Sequence, residues 1–330
     1  MNLIHYNGYC SFVPLFKIVT IMKKQISFLI SLMMIILSCS HGDTGDNDDE
    51  NKLGTSKIPV NILGSVTALQ ARAMDATWEA NDKIGVFMLK SGTSSFQEST
   101  ILENANNICY ITSKGDGKFN ANTSGDVIYF PSDGSNADFY AYYPYQKNLD
   151  NAYTLNINVS DQSNQSQIDI LYANNVKNVN QEESTINFNF KHQLSKIVVN
   201  LQVDQGMDAS ILENSSIRLT NQQIKASFFL SSGTLSINNE SSEIIFKVLQ
   251  NTAAFEAILL PSPAKKDVEL VITLQNGRVY RYPIPADRAF IKGEKYTYNV
   301  LIKATGIDVS SSITNWQPGN GNNGENIEVE

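Results

Sequence analysis

Cys39 is the residue whose setting points most directly to a chemical event. It closes the stretch MKKQISFLISLMMIILSC (residues 22–39), where Lys23 and Lys24 form a basic start, residues 26–37 an almost unbroken apolar run, and Ile36, Leu37 and Ser38 lead into the thiol. An apolar run this short, ending in a small residue and a cysteine, favours cleavage over membrane spanning. The pattern predicts a signal peptide over 22–38 and a mature chain that starts at Cys39 and carries lipid there. Residues 1–21 show no coherent targeting pattern; Met22 reads as the start, and 1–21 are set aside from the fold.

The other groups capable of chemistry are few. Of the three cysteines, Cys10 lies upstream of that start and Cys109, flanked by Ile108, Tyr110 and Ile111, reads as a small buried hydrophobe, so no disulfide framework is expected. His5 and His41 fall outside the folded body, which leaves His192, between Lys191 and Gln193, as a structural histidine at a strand start. A nucleophilic triad needs a base beside its Ser or Cys, zinc needs several Cys or His, and calcium loops need closely spaced oxygen donors; none of these spacings occurs. Gly319, Gly321 and Gly324 spell G-x-G-x-x-G, but in an Asn-rich tail with no strand before it and no helix after it. No catalytic residue, cofactor site or metal site is expected, and the chain does not read as an enzyme, although paired carboxylates set by the fold leave no spacing to search for.

The elements that must do the work instead are strands. With 42% hydrophobic and 18% charged residues the chain can bury a proper core, and its net charge of −8, without clustered Lys or Arg, argues against nucleic acid. Asp43, Asp46, Asp48, Asp49 and Glu50 crowd the region after Cys39, which predicts a solvated acidic tether over 39–55. Short apolar or alternating runs bounded by Gly, Asn, Asp and Ser then recur at 58–63, 83–89, 107–112, 126–130, 138–143 and 153–159. A second series follows at 185–190, 196–203, 216–220, 225–230, 243–248, 254–260, 268–275, 278–284 and 296–304. The spacing predicts an all-β protein built as two β-sandwich domains in tandem, 56–182 and 183–316, with a polar tail at 317–330. The polar stretch 161–179 reads as the link between them.

Local detail refines this. Ile197, Val199 and Leu201 share one face of a half-buried strand. Asn276-Gly277 predicts a hairpin with a type I′ turn. The run Phe139, Tyr140, Ala141, Tyr142, Tyr143 reads as a core strand, with sugar stacking as its alternative.

Three blocks resemble the fimbrillin family of Bacteroidales, the lipoprotein-derived major and minor subunits of type V pili. The first is Thr77, Trp78, Glu79, Ala80, Asn81, Asp82, Lys83, Ile84, Gly85, Val86, Phe87. The second joins Ile128, Tyr129, Phe130, Pro131 and Ala141, Tyr142, Tyr143, Pro144 to Asp161, Gln162, Ser163 and Asp169, Ile170, Leu171, Tyr172, Ala173. The third is Phe188, Phe190, His192, Leu194, Lys196, Ile197, then Gly293, Lys295, Tyr296, Tyr298 and Ile313, Asn315, Trp316.

The resemblance implies two transthyretin-like, Greek-key sandwiches, export as an outer-membrane lipoprotein, and assembly with other fimbrial subunits into a homo- or hetero-polymeric surface fimbrium that supports adhesion to host or bacterial surface glycans or proteins. It also implies proteolytic processing between Arg72 and Ala73, which removes the first strand, here the alternating 58–63 followed by Gly64 and Ser65 read as flexible, so that a strand of another subunit takes its place. Residues 307–313 and 327–330 are the candidate donors. The alternative is a monomeric glycan-binding surface lipoprotein stacking sugars on Tyr140, Tyr142 or Trp316.

Overall fold

Alternating apolar and polar residues make strands, and strands dominate the computed structural model, which describes residues 57–66, 78–93, 95–249 and 253–316. The N-terminal half contributes β1 (Asn61–Val66), β2 (Asp82–Lys90), β3 (Ile108–Thr112), β4 (Lys118–Ala121), β5 (Ala137–Tyr143), β6 (Thr154–Asn158), β7 (Leu171–Val179) and β8 (Thr185–His192). The C-terminal half contributes β9 (Ser195–Val203), β10 (Ser216–Gln223), β11 (Lys225–Phe229), β12 (Thr234–Ile237), β13 (Ser241–Ile245), β14 (Lys247–Val248) and β15 (Ala254–Leu259). It ends with β16 (Glu269–Thr273), β17 (Val279–Pro283), β18 (Glu294–Lys303) and β19 (Gly306–Asn315). Helix among the described residues is limited to 3₁₀ turns at Ser124–Asp126, Gln165–Gln167 and Ala209–Leu212, so the protein is all-β as its pattern predicts.

Where facing sheets are expected in the N-terminal half, seven strands close into one barrel, ordered β1-β4-β3-β2-β5-β7-β8. Closure comes from β1, which runs antiparallel to β4 and parallel to β8. Ile62, Ile84, Val86, Met88, Phe139, Phe188 and Phe190 fill the interior. The opposite faces of β2 and β5 are equally dry, because Phe87, Leu89, Tyr140 and Tyr142 join a second cluster shared with the C-terminal half. Burial on both faces explains why these two strands read as continuous apolar runs instead of alternating.

In the C-terminal half, sheets ordered β13-β10-β16-β17 and β14-β15-β9-β18-β19 are joined by a third, β12-β11-β6. The run 243–248, expected as one strand, is two: β13 and β14 lie in different sheets, with buried Phe246 at the switch. β6 crosses from the N-terminal half to pair with β11, so the described residues form one compact unit. Sheet membership changes between His192 and Ser195, after β8.

Several local expectations are corrected. The stretch 161–179 is no linker: β7 occupies its second half, disguised by Asn174 and Asn175 and by register shifts against β5. Its first half is pinned, since Gln162 Nε2 donates to Val159 O (2.7 Å) and Ile258 O (3.0 Å) while Gln162 Oε1 accepts from Ile258 N (2.8 Å). Residues 126–130 follow the 3₁₀ turn Ser124–Asp126 and make two backbone bonds to 58–60 in place of a strand. Gly64 and Ser65 are not a flexible sequel to the first strand but lie within β1. The 274–278 hairpin forms, but only Gly277 has positive φ (81°), which gives a three-residue loop with a glycine bulge and not the type I′ turn. β9 has the expected inner face, yet its neighbour β18 is parallel.

Candidate functional site

Cys39, Arg72 and Ala73 lie outside the described residues, as do the acidic tether, the 317–330 tail and the candidate donor at 327–330. What the structure does build is the strand that precedes Arg72 and the socket that holds it.

β1 fits its socket by period-two alternation: Val60, Ile62 and Gly64 are buried, while Pro59, Asn61 and Ser65 are exposed. Burying a Val or Ile side chain fully is worth about 1.5–3 kcal/mol, so these two add to the hold of the backbone pairing. On one side six residues, Asn61 to Val66, pair in parallel with Thr185 to Phe190 of β8. On the other, only Ile62↔Phe119 and Leu63↔Lys118 pair with β4. Along this short seam lies a cavity of about 290 Å³, lined by residues including Val60, Ile62, Tyr110, Phe119 and Val127. Upstream, Val60 N donates to Ile128 O (2.9 Å) and Phe130 N to Ile58 O (3.0 Å). Burial pushes the Tyr110 hydroxyl up from its ordinary pKa, and its oxygen accepts from Ile128 N (2.9 Å).

The floor under β1 is aromatic. Trp78 meets Phe119, Phe190 and Tyr143 edge-on at centroid distances of 5.0, 5.1 and 5.6 Å, and its indole Nε1 donates to Gly64 O at 2.8 Å. Gly64 N donates to Gly117 O at 2.8 Å. Gly117, at φ +77°, also has no room for a side chain, because a Cβ there would stand 2.6 Å from Gly64 O. Sequence reasoning missed Phe119, Phe190, Gly64 and Gly117 as parts of this socket; the signal was the period Val60, Ile62, Gly64, Val66 running on through the glycine.

The sequence matches the fimbrillin-like family model over residues 71–316. This chain belongs to the fimbrillin-like family. It is 28% identical over 310 residues, covering 91% of this chain and 97% of the relative, to a Bacteroides uniformis protein named as a candidate fimbrium subunit, Fim1C. Among solved structures it resembles a candidate cell adhesion protein of Bacteroides uniformis (28% identity, TM-score 0.69, covering 79% of this chain and 99% of that one). A second, from Bacteroides ovatus, shares the fold at 22% identity and TM-score 0.65, covering 80% of this chain and 100% of that one.

The socket explains several residues by which this fimbrillin-like chain resembles its family. Trp78 is the donor and ring described above. Gly85 in β2 leaves space for Tyr142, whose ring would lie 2.2 Å from a Cβ there and whose hydroxyl donates to Asn107 Oδ1 at 2.8 Å. Asp82 accepts from Tyr143 OH (3.1 Å) and from Glu79 N (2.7 Å), and burial raises its carboxyl above the usual range against the pull of those bonds. His192 is structural: Nδ1 contacts Asp169 Oδ1 at 2.8 Å and its ring stacks on Trp316 at 3.9 Å. Cys109 is a buried free thiol whose pKa rises with burial, which is the setting of an inert cysteine.

The sugar-stacking candidates are not available at the surface. Tyr140, Tyr142 and Trp316 are 5%, 0% and 5% exposed, so each is core. The candidate donor 307–313 is also engaged, as part of β19, which pairs with β18 over ten residues.

Proposed function

We propose that this fimbrillin-like chain is a surface-exposed outer-membrane lipoprotein, lipidated at Cys39, that serves as a structural or accessory fimbrial subunit assembled by strand exchange and supporting adhesion. The reading includes a tether at 39–55, two tandem β lobes at 56–182 and 183–316, with β8 of the second range completing the barrel of the first, and a tail at 317–330. The role is one of shape and backbone pairing, not of bond breaking; the names of the relatives support it.

The observation that carries the reading is β1. It closes a barrel that would otherwise be open, it precedes the only stretch holding Arg72, and its seam with β4 is two pairs long. Cleavage between Arg72 and Ala73 would free its C-terminal end. Departure of β1 exposes the apolar trough over Phe119, Phe188 and Phe190 and leaves unpaired N–H and C=O groups on β8 and β4, both costly in water. A strand from another fimbrial subunit repairs both faults at once.

The test is to treat the purified chain with an arginine-specific protease and run it, unboiled, on a denaturing gel. A ladder of species from the native chain and monomer alone from Arg72→Ala is the expected result; polymers from Arg72→Ala remove the processing step. Mass analysis of the cell-associated protein distinguishes a start at lipidated Cys39 from one at Ala73. The glycan-binding alternative loses its stacking residues to the core.

A further inference from the structure

We infer that the β1 socket selects its partner strand by the absence of a side chain: it accepts an alternating apolar strand only if a glycine falls at the register of Gly64. This rests on the strand-exchange reading and names the kind of strand that reading requires.

The constraint is steric and local. A Cβ built on Gly64 stands 2.9 Å from Phe119 Cε2 and 3.0 Å from Phe190 Cε2, closer than ordinary contact allows, although the backbone there is in a conformation any residue adopts. Both rings are held on the side of Trp78, although Phe119 also borders the cavity beside β4. Phe119 and Phe190 are 4% and 0% exposed, and both are wedged edge-on against Trp78. The backbone of the same residue is gripped from both sides, with its N–H on Gly117 O and its C=O on the Trp78 indole. The socket therefore binds main chain at this point and refuses side chain. Two and four residues earlier it is apolar, over the buried Ile62 and Val60, while Asn61 and Ser65 lie on the exposed face, where Ser65 Oγ donates to Asn189 Oδ1 (3.2 Å) at the surface. The pattern read is apolar-x-apolar-x-Gly, running parallel to β8.

The candidate donors near the C-terminus fit that pattern poorly. In β19, Ile307, Val309, Ser311 and Ile313 reproduce the period, but Ser311 takes the glycine position. In the tail, none of Gly319, Gly321 and Gly324 has apolar residues two and four positions before it. The occupant is accordingly a strand of another subunit that carries glycine in this register, and neither 307–313 nor the 317–330 tail of a second copy supplies it.

The experiment incubates the full chain with the arginine-specific protease and fluorescent peptides. The parent peptide spans residues 57–68; variants carry Gly64→Ala, Gly64→Val or Ser65→Val, and a further peptide spans 305–315. Capture of the parent and of Ser65→Val, capture about tenfold weaker for Gly64→Ala, and none for Gly64→Val or 305–315 is the expected result. Equal capture of the parent and the Gly64 variants, or of 305–315, overturns the glycine rule and leaves strand exchange standing. Capture of no peptide by chain cut after Arg72 sinks strand exchange itself, and the rule with it. In the uncut chain, Gly64→Ala lowers the melting temperature and Ser65→Ala does not; equal melting of the two overturns the steric claim without reference to exchange.

Discussion

The first and last strands of the described residues differ in what adds to their backbone pairing. β19 pairs with β18 across ten residues, from Glu294↔Asn315 to Lys303↔Gly306, yet none of its own residues is buried. β1 pairs with β8 over six residues and with β4 over two, and in addition Ile62, with Val60 just before it, is sent into the barrel at 2% and 4% exposure. A backbone hydrogen bond contributes about 0.5–1.5 kcal/mol net, because the unfolded chain bonds water instead, whereas a buried aliphatic side chain contributes about 1.5–3 kcal/mol. Loss of β19 would bare an edge; loss of β1 would bare a shaped, apolar trough. Only the second kind of vacancy can tell one incoming sequence from another.

Three substitutions probe that contrast, beginning with the most damaging. Ile62→Ala removes a side chain from the closed core and is expected to lower stability by about 2–5 kcal/mol in urea unfolding; a loss under about 1 kcal/mol would put β1 on the same footing as β19. Trp78→Phe keeps an aromatic ring but leaves Gly64 O without its indole donor, and thermal unfolding should register about 1–3 kcal/mol. No change there would make the indole contact incidental to the seating of β1. Ile313→Ala, in β19 and 41% exposed, should stay within about 0.5 kcal/mol of the native chain; a larger effect would mean that side chains anchor β19 as well.

Strand content was legible because β-branched and aromatic residues alternate or cluster between Gly, Asn and Asp, and those signals are local. Partner choice was not, since nothing in Thr154–Asn158 says that its neighbour is β11, over sixty residues onward in the chain. β4, β7 and β12 escaped for different reasons: β4 and β12 are four residues long, and β7 carries Asn174, Asn175 and a positive-φ Asn178 that break its period. At the socket, the residues before Gly64 announced a strand, but a glycine followed by a serine reads as a turn when its surroundings are unknown. Only the rings of Phe119 and Phe190, distant in sequence, reveal that the glycine is there to leave space. The proposed processing residues Arg72 and Ala73, and the proposed lipid acceptor Cys39, came from motif and resemblance and not from packing.

The crossing of β6 carries a practical consequence for anyone cutting or recombining this chain. Thr154 to Asn158 precede β7 and β8 of the barrel, yet they zip along Phe229 to Lys225 in the other half. A truncation at residue 183 would strand β6 with no mate and strip Phe228 of its cover, so neither piece would be a faithful fragment. Chimaeras that trade one lobe for that of a relative must carry this short segment along with the C-terminal part, or supply a replacement for it.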